Sequence, residues 1–152
     1  MEKRRRWIWF VLSVAVILFI FSNSMESVSD SREKSYAFAE FLKRLFGIQD
    51  GWDVAQHDTV VRKSAHFAEF ATCGFFLTQW VSGCQWKKKA VSFVLPLALV
   101  ALVASADETI QIFFARGASV ADVALDFVGG VFGIACAGAF CHRRQRKREN
   151  GA

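Results

Sequence analysis

The chain is short of the features that mark secreted or soluble proteins. It has four cysteines, and Cys73, Cys84, Cys136 and Cys141 show neither a disulfide framework nor the spacing of a metal site. A secreted disulfide scaffold is therefore excluded. No A-x-A cleavage site follows the first apolar block. Trp7 to Phe21 accordingly reads as a retained span, although Ser22 and Ser24 stand where a signal peptide could be cut. Charge of either sign is missing from four stretches: Trp7–Phe21, Phe70–Trp86, Ala90–Ala106 and Phe127–Cys141. The one proline, Pro96, falls inside the third of these and is expected to kink it.

What is present is hydrophobic and partitioned. Of 152 residues, 53% are hydrophobic and sixteen are Phe, yet 22% are charged, so apolar blocks alternate with charged segments. That layout fits a polytopic membrane protein and excludes a soluble globule or a disordered chain. The length allows a single domain, residues 1–152. The formal net charge of +5 does not point to nucleic acid, because the basic residues flank the apolar blocks. Lys3, Arg4, Arg5 and Arg6 precede the first, Lys87 to Lys89 separate the second from the third, and Arg143, Arg144, Arg146, Lys147 and Arg148 follow the fourth. By the positive-inside rule all three clusters are cytoplasmic.

The resulting expectation is an all-α integral membrane protein with four transmembrane helices, at about 7–23, 60–82, 90–112 and 120–141, and both termini cytoplasmic. Between the first two spans, Phe38, Phe41, Leu42, Leu45 and Phe46 repeat at helical spacing. They predict an amphipathic helix at about 31–47, lying either on the outer membrane face or packed as an ordinary helix over the bundle. Gly129, Gly133 and Ala137 form a row of small residues on the fourth span, suited to close helix packing.

The last three charge-free stretches hold 17, 17 and 15 residues, short of the roughly 20 a span needs. Each must recruit polar neighbours, and these lie at the outer ends. They are Arg62, Lys63, His66 and Glu69 on the second span, Asp107, Glu108 and Gln111 on the third, and Asp122 and Asp126 on the fourth. At about 1.5 Å per residue from a boundary near Val60, His66 and Glu69 lie on the order of 9 to 14 Å deep. Ionisable groups at that depth are costly unless they face the bundle interior and pair. Helical spacing lets each set share a face, so the three helices present polar stripes at one level.

These residues carry a resemblance. Arg62-Lys63-Ser64-Ala65-His66-Phe67-Ala68-Glu69-Phe70 and Asp107-Glu108-Thr109-Ile110-Gln111-Ile112-Phe113, followed by Arg116, Asp122, Asp126 and Gly129, are similar to the paired motifs of the VanZ-like family. Ser22, Asn23 and Ser24 resemble its polar segment after the first span. Ile110 stands where many members have His, and the usual Pro-Gly before Arg116 is absent. The family is named for a membrane protein associated with teicoplanin resistance. The resemblance implies a bacterial cytoplasmic-membrane protein, and a distant likeness to enzymes acting on lipid head groups.

Three readings of the cluster remain open. Arg62, Lys63 and Arg116 stand against Glu69, Asp107, Glu108, Asp122 and Asp126, an excess of acid that a purely structural network would have to accommodate. As an enzyme site on a phospholipid or lipid-linked cell-wall precursor, Arg62 and Lys63 would anchor a phosphate. Gln111, Arg116, Ser22 and Asn23 would contribute to substrate binding. His66, Glu69, Asp107 and Glu108 would supply acid–base chemistry, and Asp122 and Asp126 would offer oxygen ligands to a divalent cation. The third reading is a protein that binds or transports a lipid or antibiotic without covalent chemistry. The absence of an evident inverted repeat disfavours a complete monomeric transporter.

Overall fold

The computed structural model describes residues 2–26, 54–83, 89–114 and 119–149, with positions 33, 36, 37, 40 and 44. Among the described residues there are four long helices and no strand: α1 (Glu2–Ser24), α2 (Val54–Ser82), α3 (Lys89–Phe113) and α4 (Val120–Glu149). The amphipathic helix expected at 31–47 lies, apart from those isolated positions, outside the described residues, as does Arg116.

Local chemistry sets the helix ends. Gly83 closes α2, its N–H donating to the carbonyls of Gln79 and Trp80 at 3.2 and 3.0 Å. Ser119 caps α4: its side-chain oxygen accepts the Ala121 N–H at 3.2 Å, and its carbonyl accepts from the N–H groups of Asp122 and Val123. Pro96 is fully buried, and α3 continues as one helix through it. The carbonyl left free by its missing N–H is that of Ser92, one turn earlier.

Three segments are long and apolar enough to cross a membrane: Lys3–Ser24, Ala90–Phe113 and Val120–Arg143. The expected span at 60–82 is helical within α2, but Arg62, Lys63, His66, Glu69 and Gln79 set α2 apart in polarity from the other three. Side-chain contacts give the directions. Phe10 stacks on Trp80 near one end of the α1–α2 pair, and Asn23 bonds Glu69 nearer the other, so these helices are antiparallel. Phe67 meets Phe132 and Phe75 meets Phe140, so α2 and α4 run parallel. A bond between Ser24 and Asp107 joins the C-terminal ends of α1 and α3.

Close approach of α2 and α4 depends on absent side chains. A Cβ on Gly133 would fall on the carbonyl oxygen of Ala71, one on Gly74 would fall on that of Gly130, and one on Gly129 would stand 2.7 Å from the Phe67 carbonyl. The small-residue row thus lies against α2, with Ala137 fully buried beyond it. Around this seam, Ile20, Phe70, Cys73, Leu77, Val100, Val103, Ala104 and Ile134 form the apolar core.

Exposure is inverted relative to a soluble bundle. Asp107, Glu108, Gln111, Asp126 and Ser24 are buried, whereas Leu18, Phe19, Phe93, Leu102, Phe113 and Phe132 stand more than half exposed. In water so many exposed large apolar side chains on the described helices would be unfavourable. Hydrocarbon is their natural solvent.

The glycine seam yields a paired expectation. Gly133→Ala should lower stability in detergent by about 1 to 3 kcal/mol through overpacking. Gly138→Ala, where an added Cβ meets nothing within 4 Å, should be neutral or slightly stabilising. Thermal unfolding of the two variants side by side checks this, and equal behaviour would refute the seam.

Candidate functional site

The C-terminal turn of α1 carries Ser22, Asn23 and Ser24, which separate by direction. Ser22 is exposed. Asn23 donates from Nδ2 to Glu69 Oε1 on α2 at 2.8 Å. Ser24, fully buried on the α1 face that also buries Ser13 and Ile20, donates its hydroxyl to Asp107 Oδ1 at 2.5 Å. That is the short distance expected when the acceptor is a carboxylate. On α3, Gln111 sits one turn beyond Asp107 and donates from Nε2 to Asp107 Oδ2 at 2.8 Å. Both oxygens of a carboxylate with no exposed surface are thus held by neutral donors.

The parallel α2–α4 pair adds a second set. His66 Nδ1 stands 3.9 Å from Asp126 Oδ1, with the Asp126 side chain only 2% exposed. Each of His66, Asp107 and Asp126 offers a ligand-type atom, and these three atoms lie within 4.8 Å of one another. One turn earlier on each helix, Lys63 Nζ meets Asp122 Oδ1 at 2.9 Å on the partly exposed rim. A solvent-screened pair of this kind is worth about 0 to 1 kcal/mol. Glu108 accepts the backbone N–H of Ser119 through Oε2 at 3.1 Å and so ties the end of α3 to the cap of α4.

The cluster therefore draws on all four helices. His66, Asp107 and Asp126 converge at its centre; Gln111 and Ser24 support Asp107; Asn23 and Glu69 close the side toward α1. The two acids grouped by spacing on α4 part company, Asp126 turning to His66 and Asp122 to Lys63. Arg62 is half-buried, and no side chain among the described residues forms an ion pair with it. Ser24 was not among the expected ligand-binding residues. Its signal lay in the α1 spacing, since Ser13, Ile20 and Ser24 repeat at intervals of seven and four.

Chemically, an imidazole beside two buried carboxylates in the bundle can exchange protons or ligate a cation. Among the described residues no Lys or Arg ion-pairs with Asp107 or Asp126, so any positive charge they require comes from His66, bound protons or a ligand.

A family model described as VanZ/LLP1 matches residues 7–141. No curated protein and no solved structure matches the chain.

The support of Asp107 by Ser24 is open to direct measurement. Ser24→Ala leaves Oδ1 without its hydroxyl donor and should cost about 1 to 3 kcal/mol. Ser22→Ala, on the exposed side of the same turn, should change stability by less than about 0.5 kcal/mol. Chemical denaturation of both variants in one detergent decides it, and equal losses would remove Ser24 from the cluster.

Proposed function

The chain belongs to the VanZ/LLP1 family, and on that premise we propose that it is a four-span membrane protein whose polar cluster engages a lipid head group at the outer leaflet. The observation that carries this reading is the convergence of His66, Asp107 and Asp126 from three helices, with Ser24 of the fourth bonded to Asp107. Apolar side chains cover the outside of the same bundle. A polar site at one end of a lipid-facing bundle suits a substrate with an apolar tail and a charged head.

α2 completes the set of spans. Its 29 residues extend about 43 Å at 1.5 Å per residue, long enough to cross, and its Lys63, His66 and Glu69 face polar partners on α4 and α1. The basic residues at the start of α1 and the end of α4 lie at the end of the bundle away from the cluster. By the positive-inside rule that end is cytoplasmic, which puts the cluster at the opposite leaflet and leaves both termini inside.

Within the site, Arg62 and Lys63 at the rim are the phosphate anchor, Arg62 through its bidentate fork. His66, flanked by Asp126 and Glu69, would move the proton of a head-group hydroxyl or of water. Phospholipids and lipid-linked cell-wall precursors share the required phosphate, and binding or altering such a precursor would connect the protein to glycopeptide susceptibility, including teicoplanin.

Incubation of the purified protein with radiolabelled phospholipids and undecaprenyl-linked precursors, with and without divalent cation, tests the activity. A chemically altered or tightly retained lipid is expected. His66→Ala and Glu69→Gln should abolish the effect at normal membrane abundance, and Arg62→Lys should already impair it. Function falling only in proportion to abundance would defeat the proposal. For topology, single cysteines in a Cys-less background should label from outside at position 50 and only from inside at position 88. The reverse pattern would overturn the orientation.

A further inference from the structure

We propose that His66, Asp107 and Asp126 bind one divalent transition-metal ion, of the Zn2+ or Mn2+ class, at the centre of the four-helix cluster. Its function as an electrophile for a head-group phosphate rests on the reading above, with proton transfer then falling to Glu69 because a ligating imidazole gives its lone pair to the metal; the ion's binding does not rest on that reading.

Geometry is the first support. The three ligand-type atoms, from α2, α3 and α4, lie within 4.8 Å of one another. Ligands at about 2.0 to 2.2 Å from one ion stand at most about 4.4 Å apart, so side-chain movements of a few tenths of an ångström complete the set. The 3.9 Å between His66 Nδ1 and Asp126 Oδ1 is too long for a hydrogen bond. It is close to the spacing of two ligands that share an ion.

A second support is independent of the clustering. Asp126 Oδ1 is buried and accepts no hydrogen bond from any described residue, with the side chain 2% exposed and turned toward His66. A buried carboxylate oxygen left without a donor is costly, and a bound cation removes that cost. Asp107 has the complementary arrangement: Ser24 and Gln111 each donate to one of its oxygens, leaving lone pairs for an ion and fixing the carboxylate's orientation. Metal-ligating carboxylates are held in this way by outer partners.

Charge and ligand type narrow the ion. Two buried carboxylates without a Lys or Arg partner among the described residues carry a formal charge that a divalent cation cancels. The imidazole selects zinc or another nitrogen-accepting ion over calcium or magnesium, which prefer all-oxygen shells. Asp122 is not a ligand, since its Oδ1 faces Lys63 at 2.9 Å.

The test uses the full chain, purified in detergent, stripped with a chelator, reloaded separately with Zn2+ or Mn2+, desalted and analysed for metal content. About one tightly held ion per chain is expected. It should be lost in Asp126→Asn and retained in Asp122→Asn, while Ser24→Ala should weaken binding by about 10- to 100-fold. Pulsed electron paramagnetic resonance of the Mn2+-loaded wild type should show coupling to a ligand nitrogen, a reading independent of how any variant folds. Absence of retained ion in the wild type, absence of nitrogen coupling, or unchanged uptake by folded Asp126→Asn would each overturn the site. Lipid binding that survives in metal-free protein would leave the head-group reading standing and remove the ion's part in it.

Discussion

The burial of Asp107 is the constraint from which the arrangement of the bundle follows. A carboxylate with no exposed surface inside a lipid-facing protein is tolerable only if its oxygens find donors. One donor, Gln111, comes from its own helix at the next turn, but the other, Ser24, belongs to a helix more than eighty residues earlier. The C-terminal end of α1 must therefore arrive at the level of Asp107. Sliding α1 by a single turn, about 5.4 Å, would break the Ser24 bond and the Asn23–Glu69 bond together. Two specific polar contacts thus fix a register that lipid-like apolar packing alone would leave loosely determined.

The seam of glycines and the polar cluster are two ends of one device. Gly129 follows Asp126 by nearly one turn of α4 and rests on the backbone of Phe67, the residue next to His66. Close approach of the two backbones sets the 3.9 Å separation of His66 and Asp126. A larger residue at 129 would act on the site without touching it, by spreading the helices that carry it.

Much of this could be read from the sequence, for identifiable reasons. Charge-free blocks announce helices because only internally bonded backbone survives in hydrocarbon, and each lies in a helix, the second of them as far as Ser82. Ionisable residues at helical spacing announce an inward face, and His66, Asp107 and Asp126 share one. Partner choice was not readable. Spacing grouped Asp122 with Asp126, yet a difference of one turn sends the first to the rim with Lys63 and the second to the interior. Ser24 escaped because a serine at the end of an apolar block resembles a span boundary; only the three-dimensional meeting of α1 with α3 gives it a carboxylate. Pro96 stands inside α3, which continues as a single helix through it, and its ring is fully buried.

The polarity of α2 also bears on how the protein is made. A segment bearing Arg62, Lys63, His66 and Glu69 in its leading half is a weak signal for entry into the bilayer by itself. Asn23 has already been synthesised when Glu69 emerges, so α1 can receive part of that charge at once. The partners of Lys63 and His66 arrive later, because Asp122 and Asp126 lie about sixty residues downstream. At ribosomal speeds of about 5 to 20 residues per second, that is an interval of roughly 3 to 12 s. During it, Lys63 and His66 are without the carboxylates that they face in the folded bundle. Both side chains find these partners only when α4 is present, so the cluster depends on the arrival of α4.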